Sequence, residues 1–251
     1  PFFMAHKGME IAREYGVPVT ASFHCQAENI SSHLFLMNST RFNTKIYKTL
    51  YSYVYKYCTA VHYPTQFICD VFERECGHTT NHYVISNGVG KEFVRDPQPK
   101  PAEFADKKVI LFTGRYSREK SHRVLIDGVA ATRDPGRIQL VFAGCGPLDE
   151  KLHEYAAKVL PAENQPLFRF FSRPEMLKVL NYADLYVHPA EIEIEAIACL
   201  EAIKCGLVPV IADSPRSATR YFALTEKNLF RYDSPEDLAS RIDYWLDDPD
   251  A

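Results

Sequence analysis

The sequence predicts an α/β protein of doubly wound parallel sheets, in two parts joined by a linker. Two observations carry this expectation. Short apolar runs of strand length alternate with stretches of helical periodicity along nearly the whole chain. Residues 91–108, "KEFVRDPQPKPAEFADKK", interrupt the alternation with three prolines and five lysines or arginines, the composition of a linker.

In order, the first part reads as a helix near 4–15, strand "VPVTASF" (17–23), helix 41–57, a strand near 60–63, helix 65–75 and strand "HYVIS" (82–86). The second part has strands "VILFT" (109–113), "IQLVFA" (138–143), "LFRFF" (167–171), "LYVH" (185–188) and "VPVIA" (208–212). Helical stretches fall near 120–132, 148–159, 174–181, 195–205 and 215–222. Five short apolar strands separated by helices imply a parallel sheet covered on both faces. The expected division is therefore 1–90, a linker at 91–108, and 109–251.

Composition supports a globular chain and narrows its class. With 251 residues, 46% hydrophobic and 13% aromatic, there is material for a real core. A net charge of −3, from 29 basic and 32 acidic residues, argues against dedicated nucleic-acid binding. Seven cysteines, an odd number with no C-x-x-C, suit reduced, buried thiols in the cytoplasm better than a disulfide framework. On that reading the sequons at Asn29 and Asn38 are chance matches. No signal peptide and no apolar span of about 20 residues is found. The chain opens on Pro1 and closes on Ala251 just after the helical pattern "RIDYWLDDPD", so it is read as a fragment.

In doubly wound sheets ligands sit beyond the carboxyl ends of the strands, which directs attention to the loops after 113, 143, 188 and 212. The first, "TGRYSREKS", offers Arg115 and Lys120 as an anion clamp, although solvated charge explains the same letters equally well. The second, "AGCGPLDEKL", has Gly144 and Gly146, which permit close backbone approach, and Pro147, which suits a helix start. The third, "AEIEIEAIACLEAIKCG", sets Glu191, Glu193, Glu195 and Glu201 beside an apolar run. Glu193 is expected at a helix mouth and Glu201 two turns in, where both could accept hydrogen bonds from sugar hydroxyls. Capping by Glu193 and Glu195 with an exposed Glu201 is the structural alternative. The apolar neighbours of Glu201 weigh against its full exposure.

Together "VILFTGRYSREKSHRVLIDGVA", "LVFAGCGPLDEKL" and "VHPAEIEIEAIACLEAIKCGLVPVIA" resemble retaining glycosyltransferases of the family-4 type, with the GT-B fold. The resemblance covers most of residues 82–245, and its E-x7-E signature falls on Glu193 and Glu201. It implies two Rossmann-like domains facing a cleft, acceptor side first and donor side second. Only three strands precede the linker, fewer than the family's first domain has, so that domain is expected to be N-terminally truncated. The resemblance assigns Arg115 and Lys120 to the donor diphosphate, Glu193 to the donor sugar and Glu201 to the ribose. Gly114, Gly144, Gly146 and the backbone at Ile194, Glu195 and Ala196 complete the expected donor site. Family members commonly read E-G-F-G where this chain reads Glu193-Ile194-Glu195-Ala196, which removes two glycines. "VISNGVGKEF" (84–93) resembles the family's "PNGVD" element, with Ser86 and Gly90 in place of proline and aspartate.

On the acceptor side, His24 follows the strand "VTASF", where the family often places a histidine facing the cleft, with Gln26, Glu28 and Asn29 near it. A histidine satisfied by backbone at a strand end is the other reading. The segment 41–58 joins five tyrosines to Arg41, Lys45, Lys48 and Lys56, a mixture that suits an anionic membrane surface, although core packing with solvated lysines explains the same letters and is in general the safer reading.

The expected function is transfer of a hexose, glucose first, from a UDP-sugar to a hydroxyl, with retention. The stretch from Glu191 onward resembles the branch that glycosylates diacylglycerol, which suggests a lipid acceptor and a cytoplasmic enzyme peripheral to the inner face of the plasma membrane. Arg115, Lys120, Glu193 and His24 are the expected catalytic residues. No metal is expected, because Arg115, Lys120 and the helix mouth can offset the charge of the departing diphosphate. No cofactor is expected either, the nucleotide sugar being a substrate. A GT-B sugar-nucleotide epimerase and a catalytically silent nucleotide-sugar-binding module are the alternatives.

Overall fold

The computed structural model describes residues 2–32 and 34–247. They form two compact units, the first running to Asn87 and the second beginning at Gly88.

The first unit contains α1 (Phe2–Glu14), β1 (Thr20–Ser22), α2 (Ala27–Ser32), α3 (Thr40–Tyr53), β2 (Ala60–Tyr63), α4 (Gln66–Cys76) and β3 (His82–Val84). Its strands make one parallel sheet in the order β1-β2-β3. The first strand is shorter than expected, since only Thr20–Ser22 pair with β2. The expected helix 41–57 ends at Tyr53, because Val54 leaves helical geometry (φ −130°, ψ −65°) and Tyr55–Tyr57 make a single 3-10 turn. Helix α4 is capped at both ends. The Thr65 hydroxyl accepts from the Ile68 N–H, and Gly77 closes the helix in the left-handed conformation. Phe23, Tyr47, Tyr63 and Phe72 are fully buried, with the Phe23 and Phe72 rings 4.5 Å apart. Of the five tyrosines in 41–58, Tyr47 and Tyr55 join this aromatic core and Tyr51 stacks on His78, while Tyr53 and Tyr57 are exposed.

The second unit runs β4 (Lys108–Thr113), α5 (His122–Ala130), β5 (Ile138–Ala143), α6 (Asp149–Val159), β6 (Leu167–Arg169), α7 (Arg173–Tyr182), β7 (Leu185–His188), α8 (Ile197–Lys204), β8 (Pro209–Ala212), β9 (Leu229–Phe230) and α9 (Pro235–Asp247). Its six strands are all parallel, in the order β6-β5-β4-β7-β8-β9. The sixth strand was not expected, being two residues long and invisible to periodicity. The expected helix 215–222 is a 3-10 stretch, Ala218–Phe222.

Strand alternation explains why this sheet is buried on both sides. Ile110 and Phe112 of β4 pack with Leu125, Leu152 and Ile242. Val109 and Leu111 pack on the opposite face with Val179, Leu180, Cys199 and Ala202. Phe93 and Phe104, inside the segment read as a linker, are buried in that second cluster, so their apolar side chains anchor the segment to the second unit.

The strand order positions the site. Successive connections from β4 run one way along the sheet, to β5 and β6, and those from β7 run the other way, to β8 and β9. Beyond the carboxyl ends of adjacent β4 and β7 the connecting segments diverge, leaving the crevice in which doubly wound sheets bind ligands.

Candidate functional site

The loops after β4, β5 and β7 are knitted together by backbone contacts. Gly114 N–H donates to the Ala143 carbonyl at 3.0 Å, and Tyr116 N–H to that of Cys145 at 3.0 Å. A β-carbon on Gly144 would stand 2.0 Å from the Gly114 carbonyl oxygen, and one on Gly146 would stand 2.6 Å from the backbone of Tyr116. Both positions therefore demand glycine on steric grounds alone. Tyr116 is fully buried and donates its hydroxyl to the Phe142 carbonyl at 2.7 Å, which fixes the loop from beneath.

Across the switch point, Glu191 N–H donates to the Glu119 carbonyl at 2.9 Å, joining the β7 loop to the β4 loop. The β7 loop is held on its other side by residues 214–218. Ala218 N–H donates to the Glu193 carbonyl at 2.8 Å, the Ser214 hydroxyl to the Glu191 carbonyl at 2.6 Å, and Arg216 is ion-paired with Glu191. Reading the sequence did not identify this support. Its one visible signal was a basic and hydroxyl-rich run, "DSPRSAT", just after a strand.

At the centre Lys120 is ion-paired with Glu193, and His188 Nε2 lies 3.4 Å from the same carboxylate oxygen. Burial alone would push the Glu193 carboxyl up. The Lys120 ammonium and the His188 ring overcome it and hold the group at about 2, so it stays ionised. His188, at the last position of β7, is fully buried, and burial pushes its pKa down against the pull of Glu193. The Tyr186 hydroxyl lies 3.3 Å from His188 Nδ1. With Nδ1 accepting from tyrosine, the neutral ring carries its proton on Nε2, facing Glu193. His188 and Tyr186 were missed in the sequence, although a histidine ending a buried strand at the carboxyl edge is the pattern that could have marked them.

The expected donor residues are only partly brought together. Arg115 is exposed and has no ion-pair partner among the described residues. Ile194, Glu195 and Ala196 are all buried. Helix α8 starts at Ile197, later than expected, and its N-cap is Ala196 in the left-handed conformation (φ 55°) with no side-chain cap bond. Capping by the Glu193 or Glu195 side chain is thereby corrected, since the helix N-cap lies after both. Glu201 is partly buried on α8, where burial raises its pKa and the nearby Arg173 lowers it. His24 belongs to the first unit, exposed just past β1, with its ring 5.7 Å from that of His62. Of its expected neighbours, Gln26 is buried and Glu28 accepts a hydrogen bond from the Tyr47 hydroxyl at 2.8 Å. The site thus offers exposed Arg115 in the loop after β4, an ionised carboxylate held between Lys120 and His188, and a helix N-terminus, a set suited to a polyhydroxylated anion.

Known proteins resemble this chain in sequence and in fold. The family model described as glycosyl transferases group 1 matches residues 94–251, more than half of the chain. The catalytic domain of cholesterol-α-glucosyltransferase from Helicobacter pylori is 45% identical, with a TM-score of 0.53 over 57% of this chain and 87% of that one. Anabaena Alr3699/HepE, solved in complex with UDP and glucose, matches 99% of this chain and 67% of its own with a TM-score of 0.79 at 18% identity, a likeness of fold. An uncharacterized glycosyltransferase of Methanocaldococcus jannaschii, MJ1607, is 26% identical over 57% of this chain, which spans only 37% of that protein's length.

Proposed function

The chain belongs to the glycosyl transferases group 1 family, and from that premise we propose that it acts in moving glucose from a UDP-sugar to a lipid hydroxyl with retention of configuration. The observation that carries this reading is the Lys120–Glu193 pair at the switch point of a parallel sheet with GT-B-type neighbours. Arg115 and Lys120 would meet the diphosphate, Glu193 the sugar and Glu201 the ribose. The sugar–phosphate bond breaks as the acceptor oxygen bonds the same carbon from the same face, and a phosphate oxygen takes the acceptor's proton. Positive charge at Arg115 and Lys120 with the amides at the α8 mouth would offset the charge on the leaving diphosphate without a metal.

The HepE complexes hold UDP and UDP-glucose, which supports UDP as the donor base here. The 45% identity to a cholesterol-α-glucosyltransferase supports a lipid acceptor and favours a sterol over the diacylglycerol suggested by sequence resemblance. No helix among the described residues is long and apolar enough to cross a membrane. Attachment would be peripheral, through the α3 face where Arg41, Lys45 and Lys48 line a shallow groove with Tyr53.

Calorimetric titration with UDP, GDP and ADP in metal-free buffer tests the donor half, and transfer of labelled glucose from UDP-glucose to vesicles holding sterol or diacylglycerol tests the acceptor. Selective UDP binding that is weakened by Glu201→Ala, with label appearing in the sterol, is expected. Equal affinity for all three nucleotides would defeat the donor assignment, and label confined to diacylglycerol would defeat the sterol.

A further inference from the structure

We propose that Cys69, Glu73 and His82 form a zinc site in the first unit, clamping α4 to β3. Cys69 and Glu73 stand four residues apart on α4 and so share one helix face. His82 opens β3 after the turn that Gly77 begins, which returns the chain to that face. A ligand atom from each of the three lies within 4.8 Å of the others, and His82 Nδ1 is 3.0 Å from Glu73 Oε1. Tetrahedral zinc, with sulfur at about 2.3 Å and nitrogen or oxygen at about 2.0–2.2 Å, separates its ligands by about 3.5 Å. Shifts of about 1 Å would seat the ion.

The surroundings are ordered in the manner of a ligand shell. Both the N–H and the hydroxyl of Thr80 donate to Glu73 Oε1 at 2.7 Å, and the Tyr63 hydroxyl lies 3.2 Å from that of Thr80. Glu73 retains further lone pairs for a metal. The Cys69 thiol is buried and makes no hydrogen bond among the described residues. In this structure His82 Nδ1 lies 3.0 Å from both Glu73 Oε1 and the Thr80 carbonyl oxygen and so carries the ring proton. Binding the ion through Nδ1 moves that proton to Nε2, and with the side chain 32% exposed water can reach a fourth position. One thiolate, one imidazole and one carboxylate suit zinc and disfavour magnesium or calcium, which take oxygen. The thiol gives its proton to solvent as the metal–sulfur bond forms, one proton per ion. Thiolate and carboxylate together then neutralise the divalent charge, so the ion enters a buried position without leaving net charge there.

Cobalt(II) serves as the spectroscopic probe. The full chain, stripped with chelator and kept reduced, is expected to bind one equivalent, with a sulfur-to-cobalt charge-transfer band and tetrahedral ligand-field bands that zinc abolishes. Cys69→Ser should remove the charge-transfer band, and His82→Gln should weaken binding at least tenfold while circular dichroism stays unchanged. If Cys69→Ser does not fold, the partly exposed His82 position decides. A folded wild-type chain showing no bands overturns the site. So does a charge-transfer band that survives in folded Cys69→Ser, because the ion would then sit on other cysteines, or a cobalt affinity left unchanged in folded His82→Gln.

Discussion

Lys120, closing the loop after β4, is ion-paired with Glu193 in the loop after β7, so a single salt bridge spans the switch point of the second unit's sheet. Its side chains are 18% and 17% exposed, which places the pair largely out of water. Removing one partner should leave the other's charge uncompensated. Lys120→Ala is expected to cost about 3–5 kcal/mol in urea unfolding, and adding Glu193→Gln should recover most of that loss. A cost below about 1 kcal/mol for Lys120→Ala would mean the pair is solvated like a surface bridge.

Ala196 carries a strain that its chemistry does not require. It precedes α8 at φ 55°, where an L-residue costs roughly 1–2 kcal/mol and glycine does not. The family resemblance places glycine at this position. Ala196→Gly should therefore raise stability by about 0.5–1 kcal/mol after glycine's extra chain entropy is charged against it. A fall in the unfolding midpoint would show that the alanine methyl, buried in the core beneath α8, contributes more than the backbone strain removes.

How much of this was legible depended on what each element asks of its residues. Strand β4 reads as a strand because both of its faces are buried and four apolar residues in a row, Val109 to Phe112, cover them. The loop from Gly114 to Lys120 was legible for the same reason, since a fully apolar strand fixes where the carboxyl end must lie. Strand β9, two residues held by pairing with Ile211 and Ala212, has no local signature and exists through tertiary contact. The Lys120–Glu193 contact joins residues 73 apart in the chain, and no local pattern reports it. His188 was hidden because a histidine in a core strand usually means backbone satisfaction, and only the Glu193 carboxylate and the Tyr186 hydroxyl beside it give it a polar task.

The two glycines of the β5 loop yield a steric prediction. A methyl on Gly144 would meet the Gly114 carbonyl oxygen at 2.0 Å and its carbon at 3.0 Å, both rigid backbone atoms. The loop carrying Arg115 and Lys120 would have to move to admit it. Gly144→Ala is expected to cost about 1–3 kcal/mol, and to weaken UDP binding if that loop holds the diphosphate. Unchanged stability and unchanged affinity together would mean the loops are not packed against each other.

The second unit also predicts how stability falls in acid. His122, the first residue of α5, is 2% exposed among the rings of Phe112, Tyr116 and Phe142. Burial, with Lys120 nearby, pushes its pKa down from 6.5 to about 3. In the folded protein it is neutral where the unfolded chain is protonated, so stability is lost as pH falls below about 6.5, by about 1.4 kcal/mol per pH unit. His188, also lowered by burial, acts in the same direction. Glu193 adds a further loss only below its ordinary value of 4.5, as pH falls toward about 2. His122→Phe suits the aromatic cage and removes one of these proton uptakes. Relative to its difference from wild type at pH 7, the variant should gain about 2 kcal/mol by pH 5 in urea unfolding. A difference that stays constant from pH 7 to pH 5 would mean His122 takes up its proton in the folded protein as readily as in the unfolded chain.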